Sequence, residues 1–150
     1  MNANLPVIID ERLREFNLGD MEGMKFADAK KKFPKQIDNF WHHPEKYDPT
    51  ELHGETYEHV IQRGKNFARE VAHRFPNEND KVLAVSHGAA LSAIMGGLLG
   101  YPLKDVRKRG GLSNTSLSIL ETKDGGKTFH PVVWDETDYL GRKLSKTDSL

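Results

Sequence analysis

Between Val82 and Leu103 the chain carries no Asp, Glu, Lys or Arg. A charge-free run of that length is long enough to cross a bilayer, or else predicts core elements. Ser86, His87, Ser92 and several glycines interrupt it, so it reads as two core elements rather than one membrane span. Val82–Val85 is a short apolar strand. "SHG" at 86–88 is a turn, and "AALSAIMGGLLG" at 89–100 is a buried helix closed by Gly100 and Pro102. A strand that passes through glycine into a buried helix is the repeating unit of α/β folds.

The rest of the chain fits that unit. "PVIID" at 6–10 predicts a second apolar strand, and "ERLREFNLGDMEGM" at 11–24 a polar, glycine-bearing loop. Residues 25–33 predict a helix with Phe26, Ala29 and Phe33 on one face. Pro34 ends it or begins the next, in which Ile37, Phe40 and Trp41 continue an apolar face. "TYEHVIQRGKNFAREVAHRF" at 56–75 is the clearest helix: Tyr57, Val60, Ile61, Phe67, Ala68, Val71 and Phe75 recur at three- and four-residue spacing, and Pro76 stops it. "TSLSILET" at 115–122 predicts an alternating strand, and "TFHPVVWDE" at 128–136 another, with Pro131 at an edge position. The expected architecture is an α/β three-layer sandwich, a mainly parallel sheet flanked by helices, in a single domain over residues 1–150. A chain of that size buries roughly 68–70% of its unfolded surface.

The 22 basic and 22 acidic residues cancel, so any anion site has to be local, and neither nucleic acid nor membrane is an expected partner. "KKKF" at 30–33 reads as a solvated helix face. Cysteine is absent, which excludes disulfides, thiolate metal sites and a cysteine nucleophile, and fits a cytoplasmic setting. "MNANLPVIIDERL" has no basic leader and too short an apolar core for a secretory signal.

Ligands of open α/β sheets sit beyond the carboxyl ends of the strands. His87 is at such an end. Gly88 lets a ligand approach the backbone there, and the N–H groups opening the next helix face an anion. An imidazole so placed can donate a hydrogen bond to a phosphoryl oxygen. Glu15 lies in a loop with Arg12, Arg14, Asp20 and Glu22; a sheltered carboxyl there can serve as general acid or base. His42, His43, His59 and His73 read as surface histidines without metal-ligand spacing, and no cofactor motif is present.

Three stretches, "DERLREFNLGDMEGM" (10–24), "HGETYEHVIQRGKNFA" (53–68) and "VLAVSHGAALSAIMGGLLG" (82–100), followed by "LSNTSLSILE" (112–121), resemble in that order the histidine phosphatase superfamily, the phosphoglycerate mutase-like proteins. The resemblance implies a phosphohistidine mechanism. His87-Gly88 matches the family's second His-Gly, which stabilises the transferring phosphoryl group. Glu15 matches the glutamate that donates a proton to the leaving group, and Gly54-Glu55-Thr56 matches the G-E-[ST] that opens a helix beside the site. Substrate contacts are implied at Gly88, Ala89, Glu55, Asn114 and Arg12. No metal and no cofactor are implied, and the ligand is a small-molecule phosphate ester.

In the family the attacking histidine lies in an N-terminal Arg-His-Gly-Glu-Thr that ends a strand. "LHGET" at 52–56 imitates it by letters, yet Leu52 stands where arginine is needed, no strand precedes it, and it follows the Glu15 loop instead of preceding it. His53 is therefore not read as the nucleophile. Arg12, Arg14, Arg63, Arg107 and Arg109 match none of the family's phosphate-clamping arginines. The expectation is a fold incomplete at its N-terminus, the C-terminal two-thirds of a longer protein whose nucleophile segment is absent. The implied activity of that longer protein is phosphomonoester hydrolysis, favoured by the short connection from Gly23 to Gly54. The alternatives are mutase-type phosphoryl transfer, or an inactive binding module or fragment of the same fold. A homo-oligomer would use sheet edges left bare.

Overall fold

The computed structural model describes residues 6–141 and 148. Its regular elements are helices α1 (Phe26–Lys32), α2 (Pro34–His42), α3 (Tyr57–Arg74) and α4 (Gly88–Leu98), and strands β1 (Leu117–Glu121) and β2 (His130–Glu136). Local chemistry sets the helix ends. Lys30, Lys31 and Lys32 fall in the last turn of α1, where positive charge opposes the helix dipole favourably. Pro34 occupies the first turn of α2, where its missing N–H costs nothing. Thr56 is the N-cap of α3, its hydroxyl accepting the His59 N–H at 3.2 Å.

α3 and α4 pack on each other through reciprocal notches. A Cβ at Gly64 would lie 2.4 Å from Ile94 Cγ1, and one at Gly97 would lie 2.3 Å from Ile61 Cγ2. Each isoleucine therefore fills the space left by a glycine on the facing helix. Under this pair lies an aromatic core of Phe16, Phe40, Tyr47 and Tyr57, all buried. The rings meet edge to face, with centroids 4.8 Å apart for Phe16–Tyr57 and 5.1 Å for Phe16–Phe40. Phe16 belongs to the polar 11–24 loop, so this loop is anchored to the core at its middle. Phe40 and Tyr57 are core residues, as helical spacing suggests, but Phe26 is exposed. With Leu18, Met21, Met24, Ile37, Phe40 and Trp41, Phe26 rims a cavity of about 140 Å³.

The strands differ most from expectation. β1 and β2 pair antiparallel, Leu117 opposite Glu136 and Glu121 opposite His130, with two register shifts between. Residues 6–10 and 82–85, expected as strands, are hydrogen-bonded into no sheet among the described residues. Their apolar side chains face solvent: Val7 is 91% exposed, Ile9 89% and Val85 77%. The alternation of β1 also points outward, leaving Leu117 and Ile119 exposed. The physical reason is that a strand satisfies no backbone hydrogen bond by itself and needs a neighbour. Helices satisfy theirs internally, so α3 and α4 stand where they were predicted. α4 spans 11 residues, and no helix among the described residues is long and apolar enough to cross a membrane.

Candidate active site

The site forms where the 11–17 loop meets the N-terminus of α4. His87 is the N-cap residue of α4, with extended backbone (φ −111°, ψ 155°), and its exposed imidazole makes no capping hydrogen bond. The first-turn N–H groups of a helix have no intrahelical acceptor. Glu15 supplies one: its Oε1 accepts the Ala90 N–H at 2.8 Å and the Phe16 N–H at 2.9 Å. A carboxylate from a distant loop thus takes the place of a local cap, and its charge suits the positive end of the helix. Ser86 Oγ donates to the Leu13 carbonyl, tying the approach to α4 to the same loop. His87, Gly88, Ala89 and Glu15 are therefore brought to one place. The combination offers a carboxyl that can give up a proton, an exposed imidazole, and helix-terminal N–H groups that favour an anion.

Glu55 lies just behind. Only 5% of it is exposed, and its carboxylate is fully engaged. Oε1 accepts Arg63 Nε at 2.8 Å and faces His59 Nδ1 at 3.1 Å. Oε2 accepts Arg63 Nη2 at 3.1 Å and the Asn17 N–H at 3.3 Å. Its own N–H donates to the Asn17 carbonyl at 2.7 Å. Burial pushes the Glu55 carboxyl up, but Arg63, the Asn17 N–H and His59 outweigh it and hold the group below its ordinary value. Burial likewise raises the Tyr57 hydroxyl, partly opposed by Arg107. That hydroxyl donates to the Phe40 carbonyl at 2.6 Å.

The other sequence-derived residues are placed as follows. The Arg12 guanidinium bonds Asp10 at 2.6 and 2.9 Å and Glu70 at 2.7 Å. That hydrogen bonding raises the Arg12 pKa above its already high value and lowers that of Asp10. Asn114 is exposed, on the loop before β1, and its N–H donates to the Asp148 carbonyl. His53 ends the 3₁₀ turn at Thr50–Leu52 in left-handed backbone (φ 56°), with its ring exposed and Nδ1 3.4 Å from Asp20 Oδ1. Arg63, read in the sequence only as matching no phosphate clamp, is the residue whose importance was missed. A signal was present: Arg63 lies on the apolar stripe of α3, three residues after Val60 and four before Phe67, and a buried charge needs a partner.

Residues 1–135 match the profile of the Histidine phosphatase superfamily (branch 1). A 2,3-bisphosphoglycerate-dependent phosphoglycerate mutase of Cytophaga hutchinsonii is 31% identical over 93 residues, 62% of this chain and 43% of that protein. Phosphoserine phosphatase 1 of Hydrogenobacter thermophilus is 30% identical over 121 residues, 81% of this chain and 55% of that protein. Among solved structures, Bacillus stearothermophilus YhfR superposes with a TM-score of 0.74 at 35% identity, over 85% of this chain and 60% of that one. A mycobacterial glucosyl-3-phosphoglycerate phosphatase gives 0.75 at 26% identity, over 89% and 67%. The chain spans about half the length of the curated relatives it matches. With its Glu15 loop, its G-E-T helix start and its His-Gly helix start held together in an α/β fold shared with these enzymes, the chain belongs to the histidine phosphatase superfamily.

Proposed function

We propose that the chain carries the proton-donating and phosphoryl-stabilising part of a phosphomonoesterase site that works through phosphohistidine. The carrying observation is the Glu15 carboxylate held at 2.8 Å from the Ala90 N–H, in the helix turn that follows His87. A histidine nitrogen attacks phosphorus and the bond to the ester oxygen breaks. The protonated Glu15 carboxyl gives its proton to that oxygen, so a neutral alcohol leaves. Glu15, now a carboxylate, takes a proton from water as the water attacks phosphohistidine. Inorganic phosphate and the free imidazole result. His87 and the N–H groups of Gly88 and Ala89 donate hydrogen bonds to the non-bridging oxygens throughout. The attacking histidine belongs to a strand-ending Arg-His-Gly, and "LHGET", whose His53 follows a 3₁₀ turn, is a poor substitute for it.

The remaining expectations join this reading. Residues 6–10 and 82–85 serve as strands of a mainly parallel sheet once a segment bearing Arg-His-Gly lies beside them. The 150 residues form one domain of the complete fold. The setting is cytoplasmic, consistent with a chain without cysteine. Glu55 and Arg12 support the site from behind, and Asn114 reaches substrate from the loop before β1. The substrate is a small phosphate monoester, as in the phosphatase relatives, and hydrolysis is preferred to mutase transfer because the Gly23–Gly54 connection is short.

The test is an aryl phosphate assay, without added metal, of the 150-residue chain and of the same chain joined after an Arg-His-Gly-bearing segment. The first should be nearly inactive. The second should turn over and accumulate acid-labile phosphohistidine. Full activity of the 150-residue chain, lost in His53→Ala, would make "LHGET" the nucleophile and overturn the reading. Phosphoryl transfer to phosphoglycerate in place of release to water would select the mutase alternative.

A further inference from the structure

We propose that Arg63 is a positioning residue for Glu15, fixing the proton donor by gripping the loop backbone on both sides of it; this rests on the proton-donor reading of Glu15. Arg63 is 8% exposed and its planar guanidinium is used on three partners at once. Nε and Nη2 hold the Glu55 carboxylate as a fork, at 2.8 and 3.1 Å. Nη1 donates to the Arg12 carbonyl at 2.6 Å, and Nη2 donates to the Glu15 carbonyl at 3.1 Å. Glu55 completes the grip two residues further on. It exchanges hydrogen bonds with both the N–H and the C=O of Asn17. Residues 12, 15 and 17 are thus tied to α3 and the segment that opens it, and the Glu15 side chain departs from a backbone hydrogen-bonded on both sides. Its carboxylate then meets the Ala90 N–H on α4.

Stability alone does not explain this arrangement. A buried ion pair is often no more stabilising than apolar residues of the same volume, because desolvation offsets its attraction. What an apolar pair lacks is direction. A guanidinium fork aims several donors in one plane, and lysine, a point charge on a flexible stem, does not. α3 also packs on α4 through Gly64 and Ile94, next to Arg63 and four residues beyond Ala90. Both anchors of Glu15, the loop clamp and the helix N-terminus, therefore refer to one rigid pair of helices.

The experiment is amide hydrogen exchange by NMR on the 150-residue chain, which needs no turnover. Arg63→Lys keeps the charge opposite Glu55 but loses the fork. The neutral pair Glu55→Gln/Arg63→Gln is measured alongside it. In both, exchange at Ala90 should accelerate by roughly ten-fold or more, approaching its rate in Glu15→Gln. Exchange at Ile94 and Met95, deeper in α4, should stay within about two-fold. Collapse of both variants, or equal acceleration at Ala90 and Ile94, would assign the pair to stability alone and overturn the proposal. In the chain joined to an Arg-His-Gly segment, Arg63→Lys should lower kcat roughly ten-fold with KM within about two-fold, and should cost little more when Glu15→Gln is already present. If Glu15→Gln leaves kcat unchanged, the proton-donor reading fails, while the Ala90 exchange still decides what Arg63 does to the loop.

Discussion

At the scale of single residues, the proposed reading gives Glu15 two separable jobs. As a charged acceptor for the Ala90 N–H it stabilises the start of α4, and as a carboxyl in the helix turn that follows His87 it would, on that reading, move a proton. Glu15→Gln keeps the shape and a weaker acceptor. Thermal unfolding should show a loss of about 1 kcal/mol. Turnover in the chain joined to an Arg-His-Gly segment should fall about 10²–10⁴-fold, and an unchanged rate would remove Glu15 from the chemistry. Glu55 gives a pH signature. Its folded pKa is lowered, so its contribution is present above the unfolded value of about 4.3 and is lost as pH falls below that, through the folded pKa. Acid unfolding of the wild type should steepen below about pH 4.3. The Glu55→Gln/Arg63→Gln pair should show a shallower slope there. Arg63→Ala, which leaves Glu55 buried without its partner, should cost about 3–5 kcal/mol in denaturant unfolding.

At the scale of elements, the contact between α3 and α4 holds the site together, because the clamp sits on one helix and the His-Gly start on the other. Gly64→Ala is the sharp probe. Helix propensity alone would make alanine better by about 1 kcal/mol. The new Cβ, however, meets Ile94 side-chain atoms at 2.4–2.7 Å in a buried contact. Overpacking should win, with a net loss of about 1–3 kcal/mol by denaturant unfolding. Adding Ile94→Ala removes all three of those atoms and should recover part of the loss. A double-mutant cycle measures this coupling; strict additivity would mean that the helices separate instead of clashing.

At the scale of the whole molecule, apolar segments 6–10 and 82–85 lie open to solvent while the helical half is packed. Such extended apolar segments invite pairing with another chain. The 150-residue chain should therefore associate as concentration rises, seen by light scattering, and Ile9→Lys with Leu83→Lys should shift it toward monomer. A clean monomer at high concentration would show that these surfaces are not adhesive. Joining the Arg-His-Gly segment should suppress association in the same measurement, since the reading gives that segment the place beside both stretches.

Local signals were read well wherever the chain satisfies its own hydrogen bonds. Three- and four-residue spacing marked α3, Pro76 marked its end, and the charge-free run marked α4 and the His-Gly at its start. The motifs also placed Glu15, Glu55 and His87 in one family frame. What lay beyond the sequence was everything that depends on a partner far along the chain. Apolar character at 6–10 and 82–85 marks a capacity for strand, but strand is a property of pairs, and pairing is decided by what lies alongside. The outward face of β1, which does have a partner strand, depends likewise on what packs against it. Nor does spacing reveal that Glu15, 75 residues before Ala90, caps α4, or that Arg63 holds the carbonyls of residues 12 and 15. Helix starts and apolar stripes are set by neighbours within a turn or two and so are written in the sequence. The grip on Glu15 exists only once α3, α4 and the loop are folded together, because only tertiary packing brings a donor and its acceptor into hydrogen-bond distance across that span of the chain.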